Sequence, residues 1–164
     1  MIKLLVFDVD GCLTDGSIHY GSDGVEYKSF NVKDGLAIAS WGRLGLKSAI
    51  ITGRDSKVVQ RRAEELKITH LHQGVKDKKT LLENILKEEN LGWKNVAAIG
   101  DDLNDLQMLK KVGWSFTPHN GAKDIQQIVT TVLATDGGQG AVREMIDMII
   151  KHEKLEEEFL KLWQ

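Results

Sequence analysis

The chain has 164 residues, the size of one ordinary domain, and we expect residues 1–164 to form a single domain. Its 22 Lys and Arg residues nearly balance 24 Asp and Glu residues, which leaves no basic surplus to neutralise a nucleic-acid backbone. The one cysteine, Cys12, forbids an intrachain disulfide and favours a reducing compartment. No apolar run approaches the length of a membrane span or a signal segment. We therefore expect a cytoplasmic protein that binds neither nucleic acid nor membrane.

Apolar segments of strand length alternate with segments of helical period along the chain, which is typical of βαβ units. In chain order, the predicted strands are 3–9, 47–52, 70–72, 95–99, 114–117 and 131–134. The predicted helices are 34–45, 58–66, 81–91, 104–112, 122–129 and 141–152. The first strand is apolar on both faces, as in the centre of a parallel sheet. These patterns predict an α/β fold, with a Rossmann-like parallel sheet and helices on both of its faces.

Two segments fall outside this alternation. Segments 17–20 and 25–30 flank a Gly-Ser-Asp-Gly turn and predict a β-hairpin. We expect Ile18 and Tyr20 to face Val25 and Tyr27 across it. The tail, residues 153–164, carries an apolar stripe made of Leu155, Phe159, Leu162 and Trp163. Because a short chain offers no second layer to cover them, we expect both apolar faces to lie in subunit contacts.

The candidate site lies just beyond the predicted strands, because ligands of parallel α/β sheets bind at the carboxyl ends of strands. The polar side chains found there are Asp8, Asp10, Thr52, Arg54, Lys76, Asp77, Lys78, Asp101, Asp102 and Asp105. Clustered carboxylates without a nearby Cys or His pair favour an oxygen-ligated Mg²⁺ ion. A threonine and a lysine beside such an ion suit a phosphoryl group. The sequence therefore predicts a magnesium-dependent phosphoryl site.

Four segments occur in the order of the four motifs of the haloacid dehalogenase-like phosphatases and resemble them. They are DVDGCLTDG at 8–16, TGR at 52–54, Lys78, and GDDLND at 100–105. Further segments resemble the 3-deoxy-D-manno-octulosonate 8-phosphate phosphatases of that superfamily, namely FNVKDG at 30–35, TGRDS at 52–56, ITHLHQG at 68–74 and GGQGAVRE at 137–144. The resemblance implies hydrolysis of this sugar phosphate through an aspartyl-phosphate, in lipopolysaccharide precursor synthesis.

The resemblance also implies a role for each matching residue. Asp8 is the expected nucleophile and Asp10 the expected acid and base, while Thr52 and Lys78 bind the phosphoryl group. Asp8, Asp101 and the main-chain carbonyl of Asp10 are the expected Mg²⁺ ligands. An aspartate attacks an anionic phosphate poorly unless a cation and a lysine cancel the repulsion, so these roles depend on one another.

The expected contacts to the sugar come from three parts of the chain. Arg54, directly after Gly53, is expected to clamp the substrate carboxylate. Arg62 and the loop residues Asn31, Val32, Lys33, Asp34 and Gly35 are the other expected substrate-binding residues. One departure from the pattern is Ala39, where some family members have an arginine.

The intervals between the motifs leave only the hairpin once the sheet elements are counted, so we expect no separate cap domain. An open site would leave a small substrate unshielded. The resemblance implies that other subunits close it, with the hairpins assembling a homotetramer.

Three other functions remain open at this stage. A phosphatase for a sialic-type nonulosonate 9-phosphate would carry a glutamate in place of Arg54. A signalling receiver would place its phosphoacceptor on a middle strand, whereas the strand 47–52 ends in Thr52. A non-catalytic oligomerisation module would not need the full set of acids. Asp102 and Asp105 have an alternative interpretation as first-turn acids favoured by the helix dipole, and Cys12 as a small residue that fills a loop.

Overall fold

The computed structural model describes all 164 residues and contains eight strands and seven α-helices. The strands are β1 (Leu4–Phe7), β2 (His19–Tyr20), β3 (Glu26–Tyr27), β4 (Lys47–Ile51), β5 (His70–His72), β6 (Val96–Ile99), β7 (Trp114–Thr117) and β8 (Thr131–Val132). The helices are α1 (Val32–Arg43), α2 (Lys57–Glu65), α3 (Lys78–Glu88), α4 (Leu106–Leu109), α5 (Lys123–Gln126), α6 (Ala141–His152) and α7 (Glu156–Lys161).

Six strands form one parallel sheet in the order β5-β4-β1-β6-β7-β8. Side chains of β1 alternate between the two faces, so Leu5 and Phe7 join one apolar cluster and Leu4 and Val6 join the other. The first cluster includes buried residues of α1, α2 and α6, and the second includes those of α3, α4 and α5. The predicted α/β fold with a parallel sheet is confirmed.

The register of the central strands brings three loops to one edge of the sheet. Phe7, the last residue of β1, pairs with Ile50 of β4 on one side and with Ile99 of β6 on the other. The chain segments that follow these three strands therefore leave the sheet side by side. This edge carries the polar residues that the sequence places after the strands.

The hairpin forms between β1 and α1, with shorter strands than predicted and a different register. Tyr20 lies opposite Glu26, and His19 lies opposite Tyr27. The expectation that Ile18 and Tyr20 face Val25 and Tyr27 is wrong, because the Gly21 amide donates to the Val25 carbonyl and shifts the pairing by one residue. Residues opposite each other share a face. Tyr20 thus shares the face of Glu26.

Several helix boundaries differ from the prediction for local reasons. α1 begins two residues early because the Asn31 side chain accepts a hydrogen bond from the Lys33 amide and caps the helix. The predicted helix 104–112 divides into a tight 3₁₀ turn, Leu103–Asp105, and the single turn of α4. In that turn Asp105 points inward and accepts a hydrogen bond from the Asp101 amide at 3.0 Å.

The tail folds back onto α1 of its own chain. The Trp163 indole donates a hydrogen bond to Ser40 Oγ at 3.2 Å, and the Arg43 guanidinium lies 4.8 Å from the Trp163 ring centre. Leu155 and Phe159 pack against the core. The expectation that the apolar stripe of the tail is left uncovered is therefore wrong for these two residues, because α1 and α6 offer a partner surface. None of the helices has the length and apolarity needed to cross a membrane.

Replacing Trp163 by alanine removes both its hydrogen bond to Ser40 and its contact with Arg43. We expect Trp163→Ala to lower the melting temperature by about 2–4 °C, the shift that ~1 kcal/mol produces in a chain of this size. Leu160→Ala, at an exposed position of α7, is the control and should change the melting temperature little. An unchanged melting temperature in Trp163→Ala would show that the tail does not hold to α1 in solution.

Candidate active site

A buried lysine joins two acids at the carboxyl edge of the sheet. Lys78, the first residue of α3, lies with its Nζ atom 2.8 Å from Asp8 Oδ1 and 2.6 Å from Asp105 Oδ1. The side chains of Lys78 and Asp105 are 1% and 0% exposed, respectively. Asp8 follows β1, and Asp105 ends the 3₁₀ turn after β6. Asp105 is thus part of the site, whereas Asp102 accepts from the Leu103 amide and caps the turn.

A third carboxylate, that of Asp101, lies next to Asp8. Carboxylate oxygens of Asp8 and Asp101 and the Cys12 Sγ atom lie within 4.8 Å of one another. Only glycine fits at position 11, since its φ is +94° and a Cβ there would lie 2.0 Å from Asp101 Oδ2. The tight turn after β1 therefore lets the Asp101 carboxylate approach the backbone closely.

Both carboxyl groups of this pair have raised pKa values. Burial raises the pKa of Asp101 to about 8, and the nearby charges of Asp8 and Asp105 add to the shift. Burial and the Asp105 charge raise the pKa of Asp8 to about 6, against the opposing effect of Lys78. Two converging carboxylates that repel each other are oxygen donors suited to a hard divalent cation. The residues present therefore fit the expected magnesium ion.

Asp10 is held by the hairpin. Its Oδ1 atom accepts a hydrogen bond from Lys28 Nζ at 2.5 Å, and Lys28 Nζ also lies 3.1 Å from Glu26 Oε1. Arg54 donates to Tyr20 Oη at 3.1 Å and to Glu26 Oε1 at 3.3 Å. These contacts link the hairpin to the acids beyond β1 and to the loop beyond β4.

Sequence reasoning missed Glu26 and Lys28 as site residues. The signal was present, because the alternation that puts Val25 and Tyr27 on one face of the strand puts Glu26 and Lys28 on the other. Which face meets the acids depends on how the hairpin folds over the sheet edge. That packing is not encoded in the alternation itself.

The expected catalytic and metal-binding residues surround one open cavity of about 270 Å³. The lining is entirely polar or glycine, and comprises Asp8, Asp10, Gly16, Thr52, Gly53, Arg54, Asp101, Asp102 and Asn104. Lys78 lies behind Asp8, out of reach of solvent. The structure thus brings together the acids, Thr52 and Arg54, as expected from their positions after the strands. Asn104 is a lining residue that the sequence analysis did not identify.

An adjoining cavity of about 340 Å³ contains part of the expected sugar-binding set. Its lining residues are Lys28, Phe30, Val32, Val58, Arg61, Arg62 and Glu65. The Arg62 guanidinium lies 5.6 Å from the centre of the Phe30 ring. Lys28 links the two cavities, because it lines this one and its ammonium donates to Asp10, which lines the other.

The remaining residues of the expected loop do not reach the acids of their own chain. Asn31 caps α1, and Lys33 lines a separate cavity with Arg143. Asp34 is buried, accepts a hydrogen bond from the Arg143 amide at 2.7 Å, and has a pKa raised by burial to about 6. Gly35 lies against Arg62. This part of the expected site is therefore not assembled within one chain, because the residues belong to the first turn of α1.

Comparison with known proteins places the chain in a family. Residues 70–146 match the family model described as haloacid dehalogenase-like hydrolase. The 3-deoxy-D-manno-octulosonate 8-phosphate phosphatase KdsC of Escherichia coli K12 is 40% identical over 149 residues, which cover 91% of this chain and 79% of that protein. The corresponding protein of Haemophilus influenzae is 39% identical over 150 residues, covering 92% and 83% of the two chains.

A solved structure agrees with these sequence matches. The 3-deoxy-D-manno-octulosonate 8-phosphate phosphatase of Moraxella catarrhalis, in complex with magnesium ion, phosphate ion and a KDO molecule, superposes with a TM-score of 0.95. It is 40% identical, and the match covers 99% of this chain and 94% of that one. The chain belongs to the haloacid dehalogenase-like hydrolases, in the family of the 3-deoxy-D-manno-octulosonate 8-phosphate phosphatases. The resemblance expected from the sequence motifs is confirmed.

The raised pKa of Asp101 makes the stability of the metal-free protein depend on pH. Between pH 4 and about 8, Asp101 keeps its proton in the folded protein but has lost it in the unfolded chain. The free energy of unfolding therefore falls as the pH rises. Asp101→Asn removes this charge and should raise the melting temperature at pH 8, in EDTA, by about 2–4 °C. The difference between variant and wild type should shrink toward pH 5. A variant that melts lower at pH 8 would contradict the repulsion inferred between Asp8 and Asp101.

Proposed function

We propose that the chain is a magnesium-dependent phosphatase that hydrolyses 3-deoxy-D-manno-octulosonate 8-phosphate to the free sugar acid and phosphate. We also propose a cytoplasmic location, where Cys12 stays reduced, and a role in lipopolysaccharide precursor synthesis. The observation that carries the proposal is the buried Lys78 ammonium between Asp8 and Asp105, beside the polar cavity with Asp101. The relatives named above act on this substrate according to their names. Hydrolysis at such a site proceeds in two steps.

In the first step, Asp8 attacks phosphorus and forms an aspartyl-phosphate, while the bond to the sugar oxygen breaks. Asp10, which lines the same cavity, gives a proton to the leaving oxygen. In the second step, Asp10 takes a proton from water, and the water oxygen displaces Asp8 from phosphorus. Dividing one difficult displacement in this way lowers each barrier. Thr52 and Lys78 bind the phosphoryl oxygens.

The carboxylates of Asp8 and Asp101 and the main-chain carbonyl of Asp10 would hold Mg²⁺. The ion supplies positive charge that offsets repulsion between these acids and an anionic phosphate. Lys78 provides the second positive charge, and Asp105 fixes it in position. With Mg²⁺ bound, both Asp8 and Asp101 would be held in their ionised forms.

The carboxylate of the sugar acid binds to Arg54, which lines the phosphate cavity beside Gly53. Val32 and Arg62 would contact the sugar from the adjoining cavity. Asn31 and Lys33, which do not reach the acids of their own chain, would act from a neighbouring subunit, and the buried Asp34 and Gly35 would support the first turn of α1 that carries them. A guanidinium at position 54 favours the octulosonate substrate over the nonulosonate alternative.

The subunits assemble into a homotetramer through the hairpin and the start of α1. Exposed apolar side chains lie on both faces of the hairpin, with Ile18 and Tyr20 on one face and Val25 and Tyr27 on the other, and at Val32 and Leu36 of α1. Contiguous exposed apolar surface is typical of an interface. The same contacts would bring the first turn of α1 to the open cavity of a neighbour.

Removing the nucleophile tests the proposed reaction. Asp8→Asn should reduce turnover of 3-deoxy-D-manno-octulosonate 8-phosphate by about a thousand-fold or more, because no aspartyl-phosphate can form. EDTA should abolish wild-type activity, and added Mg²⁺ should restore it. Asp147→Asn, on the exposed side of α6, is the matched control and should keep wild-type turnover. Undiminished turnover in Asp8→Asn or in EDTA would exclude the assigned roles.

Substrate selection by Arg54 has a separate test. Arg54→Ala removes a charge-assisted contact to the sugar carboxylate, so KM for the sugar acid phosphate should rise about 10- to 100-fold. KM for 4-nitrophenyl phosphate, which has no carboxylate, should change far less. Equal changes in both KM values would assign Arg54 to the phosphate or to the hairpin instead.

Sedimentation measures the proposed assembly. The wild type should sediment as a tetramer, and Ile18→Asp and Val25→Asp should each dissociate it and lower turnover of the sugar phosphate. Val132→Asp places the same charge at an exposed apolar position on the far edge of the sheet and should leave the tetramer intact. A fully active wild-type monomer would refute the shared site.

A further inference from the structure

We propose that Lys28 is a positioning residue for the proton transfer, because it fixes the carboxylate of Asp10 through one oxygen and leaves the other free for the leaving group. This inference rests on the proposed phosphatase function and deepens it. It concerns a hairpin residue outside the four sequence motifs. Glu26, the neighbour of Lys28 on the same face of the strand, completes the arrangement.

The burial of Lys28 is unusual for its place in the fold. Its side chain is 1% exposed although the hairpin around it is largely exposed, as shown by Tyr20, Val25 and Tyr27. Lysine is almost never fully buried unless it is paired with an acid. Lys28 Nζ has two such partners, Asp10 Oδ1 at 2.5 Å and Glu26 Oε1 at 3.1 Å. A lysine that merely covered the surface would keep its ammonium in water.

The two oxygens of Asp10 have different environments. Oδ1 accepts the hydrogen bond from Lys28, whereas the Arg54 Nε atom lies 3.9 Å from Oδ2. That distance is beyond a hydrogen bond. Because the terminal torsion of an aspartate is soft, the Lys28 contact is what selects the orientation of the carboxylate. Oδ2 is thus the oxygen that gives its proton to the leaving oxygen as the phosphorus–oxygen bond breaks.

Glu26 connects this proton-transfer group to the substrate-binding group. Its Oε1 atom lies 3.1 Å from Lys28 Nζ and 3.3 Å from Arg54 Nη2. The same carboxylate therefore holds the lysine against Asp10 and the arginine above the cavity. Without it, two cations would face each other at the hairpin.

Leaving groups of different basicity test the role of Lys28. A good leaving group, such as that of 4-nitrophenyl phosphate, needs little protonation, whereas that of phenyl phosphate needs a proton from the acid. General acid catalysis contributes about 10²–10⁴-fold where it is required. We expect Lys28→Met to reduce kcat/KM for phenyl phosphate at least about ten-fold more than for 4-nitrophenyl phosphate. Lys28→Arg should recover part of that loss, because it retains a buried donor.

Controls separate this role from folding. Lys110→Met, at an exposed position after α4, should leave both kcat/KM values unchanged. Lys28→Met leaves the carboxylates of Asp10 and Glu26 without the cation between them. The double variant Glu26→Gln, Lys28→Met removes one of these charges, and we expect it to show the same difference between the two aryl phosphates. In a protein that already carries Asp10→Asn, adding Lys28→Met should not change the ratio of the kcat/KM values for phenyl phosphate and 4-nitrophenyl phosphate.

Equal loss on both aryl phosphates, or no loss, would overturn the proposal and assign Lys28 to phosphate binding or to the hairpin. A leaving-group effect that persists in the Asp10→Asn background would also overturn it. The proposed substrate would be excluded by a different result. A wild type that hydrolyses aryl phosphates but not 3-deoxy-D-manno-octulosonate 8-phosphate would exclude the proposed substrate and leave the Lys28 comparison decisive.

Discussion

The ion pairs of Lys78 with Asp8 and Asp105 are the interactions on which the rest of the site depends. A buried charge is tolerated only when it is paired, and here one ammonium serves two carboxylates that arrive from different strands. Two carboxylates on one ammonium leave an excess of negative charge, and burial together with this charge raises the pKa of the neighbouring Asp101 to about 8. The fold thus brings together a buried carboxylate, a fixed cation and a second carboxyl group beside them. These are the parts that phosphoryl transfer requires.

The hairpin connects the acids beyond β1 to Arg54 in the loop beyond β4. A two-stranded hairpin alone is only marginally stable in water. In this chain it is held to the sheet edge by the contacts of Lys28 with Asp10 and of Arg54 with Tyr20 and Glu26. Arg54 lines the cavity that contains Asp8 and Asp101, whereas Lys28 lines the cavity that contains Arg62. The stability of the hairpin and the orientation of the Asp10 carboxylate therefore depend on the same ionic network.

Sequence alone predicts the features that follow from local pattern. The apolar runs define the strands of the sheet, and the acids after them define its active edge, because parallel strands end together. Contacts between side chains that are far apart in the sequence cannot be predicted from such local patterns. The one-residue shift that sets Tyr20 opposite Glu26 arises from a turn hydrogen bond, and it places Tyr20 on the face that carries Glu26 and Lys28. The apolar stripe of the tail likewise indicates that a partner exists, but not that α1 of the same chain provides it.

In the proposed reaction Asp8, paired with Lys78, forms a covalent aspartyl-phosphate during turnover. Borohydride added during steady-state hydrolysis reduces an acyl-phosphate to the alcohol, so Asp8 should be recovered as homoserine in the peptide that contains it. Peptide mass spectrometry locates the change, and enzyme treated without substrate gives the background. We predict homoserine at position 8 alone, formed only in the presence of substrate and Mg²⁺. Rapid hydrolysis with an unmodified Asp8, or reduction at Asp10 or Asp101 instead, would contradict it.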